Sequence, residues 1–232
     1  MKRVNKLAAG IFLLSQTLTG TAFAASVTLS GDTVDFSFED TLLGLFGQPT
    51  VAGDSLYFTP TNFVAEAVNG SGFDLTRQTI NIKVSAHQGY DFSGLALTES
   101  GNYLQVGNGA KVVVSGQIRV FDTLKPQTEL TSNILPGGPF QQTEDFATLN
   151  WTANAAADLA SMSTAGMINV TLQNILVAQS PVNTETLAFI EKKFAGVGVI
   201  TTPVPEPETY AMMLAGLGLV GWTAMRRRNR LV

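Results

Sequence analysis

The sequence predicts an all-β protein, a single antiparallel β-sandwich or jelly-roll-like domain set between an N-terminal signal peptide and a C-terminal transmembrane helix. Three observations carry this expectation. Apolar and polar residues alternate with period two in many short stretches, the pattern of half-buried strands. Turn chemistry falls between those stretches, at Gly31-Asp32, Asn69-Gly70, Gly107-Asn108-Gly109 and Gly137-Gly138-Pro139, where glycine or asparagine accepts positive φ values. Basic residues cluster at the two ends, with Lys2, Arg3 and Lys6 at one and Arg226, Arg227, Arg228 and Arg230 at the other.

Residues 1–24 read as a secretory signal. Lys2, Arg3 and Lys6 form the basic start, an apolar stretch runs around Leu7 to Leu18, and Ala22-Phe23-Ala24 supplies the small residues expected before cleavage after Ala24. Ser15, Gln16, Thr17 and Thr19 interrupt the apolar stretch, which leaves it too short to span a bilayer comfortably.

Residues 25–200 form the β-rich extracytoplasmic domain. Val34, Phe36 and Phe38 alternate with Asp35 and Ser37; Ile80, Ile82 and Val84 alternate with Thr79, Asn81 and Lys83; Ile118 and Val120 alternate with Gln117 and Arg119. Further strands are expected at residues 55–59, 62–68, 111–115, 146–151, 168–172, 187–194 and 197–201, giving roughly ten short strands and hence a sandwich. The alanine-rich stretch from Ala153 to Ser163 is read as a helix of one or two turns. With no cysteine in 232 residues, the domain must be stable without disulfides.

Residues 201–207 read as a linker ending in Val204-Pro205-Glu206-Pro207, where two prolines remove amide donors and favour an extended peptide suited to a processing cleft. Residues 208–232 read as an anchor helix and basic tail. The uncharged segment from Ala211 to Met225 gives a helix of roughly 22 Å against a hydrocarbon core of about 30 Å, with Tyr210, Trp222 and the arginine stems extending it to the interfaces. Arg226, Arg227 and Arg228 act as a stop-transfer signal and stay cytoplasmic by the positive-inside rule, while the signal peptide sends the preceding residues across.

The run Val204, Pro205, Glu206, Pro207, then Ala211 and Leu214 with Gly216, Gly218, Gly221 and Trp222, then the arginines, resembles the PEP-CTERM sorting signal. That resemblance implies a Gram-negative, exopolysaccharide-producing bacterium and an exported precursor anchored in its inner membrane. It also implies exosortase, a membrane transpeptidase-like enzyme, as the partner that recognises the tail and processes it near Pro-Glu-Pro. It covers about thirty residues and implies nothing about the domain's activity. Gly216, Gly218 and Gly221 also spell a literal G-x-G-x-x-G, but no strand precedes them and they lie inside the apolar segment, so they are read as a membrane-helix feature and not a dinucleotide site.

Between the basic start and the last thirty residues lie sixteen of the eighteen acids and seven of the fourteen bases, an acidic balance that argues against a nucleic-acid surface. Cysteine and multi-histidine chemistry is excluded for want of ligands, and His87, the single histidine, has no nucleophile-elbow sequence around it. Paired acids such as Glu144 with Asp145, or Glu99 with Asp122, are of the kind that flanks a glycosidic bond, but among sixteen acids such pairs are common and sequence gives no separation. No cofactor is expected; calcium is the metal the acidic turns would suit, through Asp32, Asp35, Asp40, Asp54 and Asp122, although no EF-hand spacing occurs. Tyr90 and Tyr103, beside Gly89 and Gly101, are the candidate ligand contacts near loop ends, and Trp151 is read as core. The reading is therefore a noncatalytic, structural or adhesive protein of the cell surface or exopolysaccharide matrix. A small polysaccharide-acting enzyme and a module binding carbohydrate, calcium or ice are the alternatives.

Overall fold

The computed structural model describes residues 26–143, 146–162, 164–205 and 207–228. The signal-peptide residues, with Ala22 and Ala24, lie outside the described residues, as do Glu144, Asp145, Glu206 and Arg230.

Two antiparallel sheets face each other. The first contains β1 (Ser26–Ser30), β2 (Val34–Glu39), β6 (Gly72–Ala86), β12 (Met167–Ser180), β8 (Lys111–Asp122) and β9 (Glu129–Asn133), in that spatial order. The second orders β10 (Leu135–Pro136), β11 (Leu149–Asp158), β7 (Tyr90–Val106), β13 (Leu187–Pro203), β4 (Ser55–Phe58) and β3 (Thr50–Ala52), with β5 (Val64–Val68) also paired to β13. The expected two-sheet sandwich is present.

The core follows from alternation. In β12, Ile168, Val170, Leu172, Leu176 and Ala178 are all buried and their neighbours partly open, so one face of the strand lies between the sheets. Facing it, β13 buries Ala188 and Ile190 before, and Ala195, Val197 and Val199 after, a bulge at Lys193 that breaks the register between Lys192 and Phe194. The extra residue is what keeps both runs pointing inward although their parity differs. Phe46 closes one part of the core edge-on against Phe58 at 5.4 Å and Phe63 at 5.6 Å.

Four expectations change. Among the described residues there are thirteen strands, and β6, β7, β8, β12 and β13 run 12 to 17 residues each, so the sandwich is built of long strands where short ones were expected. The whole of β7 went unread. The alanine-rich stretch is strand, not helix: Ala153 to Asp158 pair with Glu99 to Gly94, and only Ala160–Met162 makes a single 3-10 turn. Pairing to a central strand outweighs alanine's helix preference there. Finally, Thr201 to Pro203 are not linker but the end of β13, paired to Phe92, Asp91 and Tyr90, and the Val204 amide donates to the Gly89 carbonyl at 2.8 Å.

Candidate functional site

Beyond that last hydrogen bond the chain leaves the sheet. Pro203, Val204 and Pro205 are exposed, and the helix α1 (Pro207–Arg228) begins on a proline, the residue whose missing N–H costs least at a helix start. Ala211, Leu214, Leu217, Leu219 and Trp222 on this helix are all exposed, and among the described residues a Cβ placed at Gly216, Gly218 or Gly221 would meet no atom within 4 Å beyond the helix's own backbone. Arg226 stacks its guanidinium over the Trp222 ring at 4.1 Å, one helical turn away. The helix is apolar around its circumference, yet among the described residues no helix is long and apolar enough to cross a membrane. The expected transmembrane span is thus not shown. The uncharged run from Ala211 to Met225 is short, diluted by three glycines and by Thr223, and bounded by Glu208 and the arginines.

Residues 203–228 of this segment match the PEP-CTERM protein-sorting motif. The chain carries a PEP-CTERM sorting motif. Its first matched residue, Pro203, is also the last of β13, so the sorting motif follows the sandwich with no spacer. No curated protein matches the chain. Solved structures of infectious bursal disease virus are similar to it. The Gt strain is 12% identical over 70% of this chain and 43% of that chain, with a TM-score of 0.24. The Gx strain is 8% identical over 69% and 49%, with a TM-score of 0.18. The chain spans less than half the length of either.

Upstream of the PEP-CTERM motif, the two candidate tyrosines part company. Tyr90 opens β7, directly after the turn whose Gly89 takes φ +86°, and is 36% exposed. Tyr103 is buried, which corrects its expected place at a loop end: its hydroxyl accepts from the Gln141 amide at 3.0 Å and its ring meets Phe140 edge-on at 4.8 Å.

The aspartates serve turns. Asp54 receives the Thr33 amide at 2.7 Å and the Thr33 hydroxyl at 2.6 Å, tying the β3–β4 turn to the β1–β2 turn. Burial alone would raise its carboxyl, but these donors together hold it below the ordinary carboxylate value. Asp122 accepts the Leu124 and Lys125 amides. Asp35 pairs with His87 at 3.0 Å, and the His87 ring also lies 3.2 Å from the Asp32 carbonyl. That hydrogen bond lowers Asp35 and raises His87 from their ordinary values. Among the described residues no three acids or histidines gather to hold a metal ion.

One cluster was not anticipated. Lys192 and Glu99, both fully buried, meet at 2.6 Å between the sheets. The Lys192 ammonium also donates to the side-chain carbonyl of Asn174, which reaches in from β12 and is itself fully buried. The Phe63 ring lies 5.2 Å and the Trp151 ring 5.9 Å from Nζ. Burial pushes the Lys192 ammonium down to about 8, against the opposing pull of the Glu99 carboxylate. Gly101 makes room for this arrangement. It sits between Trp151 and Lys192 in the register, and a Cβ there would stand 1.9 Å from the Glu191 carbonyl oxygen that accepts the Trp151 indole N–H. The sequence suggests Asp122 as a partner for Glu99; the structure gives Glu99 to Lys192 and leaves Asp122 with its turn amides. The missed signal was parity: Ala188, Ile190 and Lys192 share one face of β13, and Leu172, Asn174 and Leu176 share one face of β12.

Proposed function

We propose that this chain is an exported protein of a Gram-negative envelope, sorted through exosortase and delivered as a β-sandwich with a noncatalytic, structural or adhesive role at the cell surface or in the exopolysaccharide matrix. The observation that supports the reading is the PEP-CTERM motif at residues 203–228, joined without spacer to the last strand of the sandwich. A cut near Pro-Glu-Pro would release the sandwich and leave its hydrogen-bonded strands intact. The helix offers apolar surface on all sides with arginines at one end, and in this proposal it seats at the cytoplasmic membrane long enough for processing, its arginines held by anionic headgroups.

Replacing Pro205, Glu206 and Pro207 together by alanine tests the sorting step. The triple variant should accumulate in the membrane fraction with its C-terminal tail still attached; normal release of the variant would contradict the role given to the motif. The adhesive role has its own measurement, co-sedimentation of the processed protein with the host's exopolysaccharide with and without EDTA. Saturable binding supports it, and loss of that binding in EDTA would bring calcium into the account. Absence of binding in both conditions removes polysaccharide as the partner.

A further inference from the structure

Lys192, Asn174 and Glu99 are each fully buried, on three different strands and from both sheets, and their reactive atoms converge. An ordinary buried ion pair does not account for what is there. A buried ion pair is maintained when the remaining polar atoms are satisfied, yet among the described residues the Glu99 Oε1 and Asn174 Nδ2 atoms have no hydrogen-bond partner. The Lys192 Nζ touches both the Glu99 carboxylate and the Asn174 carboxamide, and apolar rings line the surroundings. A lysine ammonium, a carboxamide and a carboxylate placed to take the ammonium's proton, held together beneath apolar rings, are the reactants of amide exchange.

We propose that Lys192 and Asn174 join in an intramolecular isopeptide bond that crosses the sandwich, with Glu99 as its catalytic residue. The Lys192 ammonium gives one proton to the Glu99 carboxylate, and the neutral amine adds to Cγ of Asn174, pushing the carbonyl electron pair onto Oδ1. The surplus proton on Nζ passes to Nδ2. The carbonyl then re-forms, the Cγ–Nδ2 bond breaks, and ammonia leaves. Ammonium, carboxylate and carboxamide thus become amide, carboxylic acid and ammonia, with no change of oxidation state and no further reactant.

The site favours this chemistry in three ways. Burial lowers the proton affinity of the lysine, which makes the free amine accessible near neutral pH. Holding amine and carboxamide in contact replaces a bimolecular encounter by an intramolecular one. The product also replaces a buried ammonium and an unpartnered carboxamide nitrogen by one amide N–H that can donate to Glu99, easing the cost of isolated buried polar groups.

The test is a peptide map of the purified full chain expressed without its processing partner. Glu185 and Glu191 lie between Asn174 and Lys192, so cleavage after glutamate separates the two residues unless they are joined. The expected result is one branched species containing both peptides and lighter by one ammonia, with fragmentation placing the branch at Asn174 and Lys192. Two separate peptides from a folded chain would overturn the proposal, and so would loss of ammonia from Asn174 without a branch. In a Glu99→Gln variant that retains its β-sheet circular dichroism, the branched species should be lost; its persistence there would overturn the role of Glu99. The wild-type map stands on its own if the variant does not fold.

Discussion

Single residues in this protein are defined by what their polar atoms meet. Gly101 admits no side chain, because a Cβ would press into the Glu191 carbonyl. Gly101→Ala should therefore cost about 3 kcal/mol, at the upper end for overpacking, measured by denaturant unfolding. Tyr103→Phe should cost about 1 kcal/mol by leaving the Gln141 amide without its acceptor. The His87–Asp35 pair gives a pH signature. A raised histidine stabilises the fold below its ordinary value of 6.5 and loses that contribution as pH rises through its folded value. A lowered aspartate stabilises above its ordinary value of 3.8 and loses that contribution as pH falls through its folded value. The Tm difference between the wild type and Asp35→Asn should consequently be widest between those two values and shrink toward alkaline pH. A difference that stays flat across the range would show that the pair contributes nothing through its charge.

Among the elements, β7 and β12 show what makes a strand readable. The inward residues of β12 are aliphatic almost throughout, so alternation discloses residues 168–172 of it from the sequence alone. In β7 the inward positions include Glu99 and Gly101, and a glycine or an acid where the period calls for an apolar residue breaks the pattern. The same substitution of polar for apolar hid the Lys192 cluster, since Glu191-Lys192-Lys193 looks like a solvated charge run. The bulge at Lys193 split β13 into two apparent strands for a related reason, since the parity of its apolar residues changes midway. The sorting tail, by contrast, was legible almost completely, because its signal lies in local order and needs no partner strand. The position of β7 at the centre of its sheet can be checked by paired substitutions. Leu97→Ala should cost about 3 kcal/mol, as for a core leucine, whereas its exposed neighbour Thr98→Ala should stay within about 0.5 kcal/mol.

At the scale of the molecule, a sandwich without cysteine is joined directly to a PEP-CTERM motif. For an exported protein, a bond between Lys192 and Asn174 would tie the two sheets together where other secreted domains use disulfides. The loop it closes corresponds to about 3 kcal/mol in the chain-entropy estimate. The cross-link and the sorting step are separable, because the first is internal to the sandwich and the second lies beyond Pro203. The central claim, export followed by removal of both ends, is tested most directly by the intact mass of the protein recovered from its host's surface or medium. The account predicts a chain that begins near Ala25 and ends close to Pro-Glu-Pro. A recovered chain still ending at Val232 would contradict it.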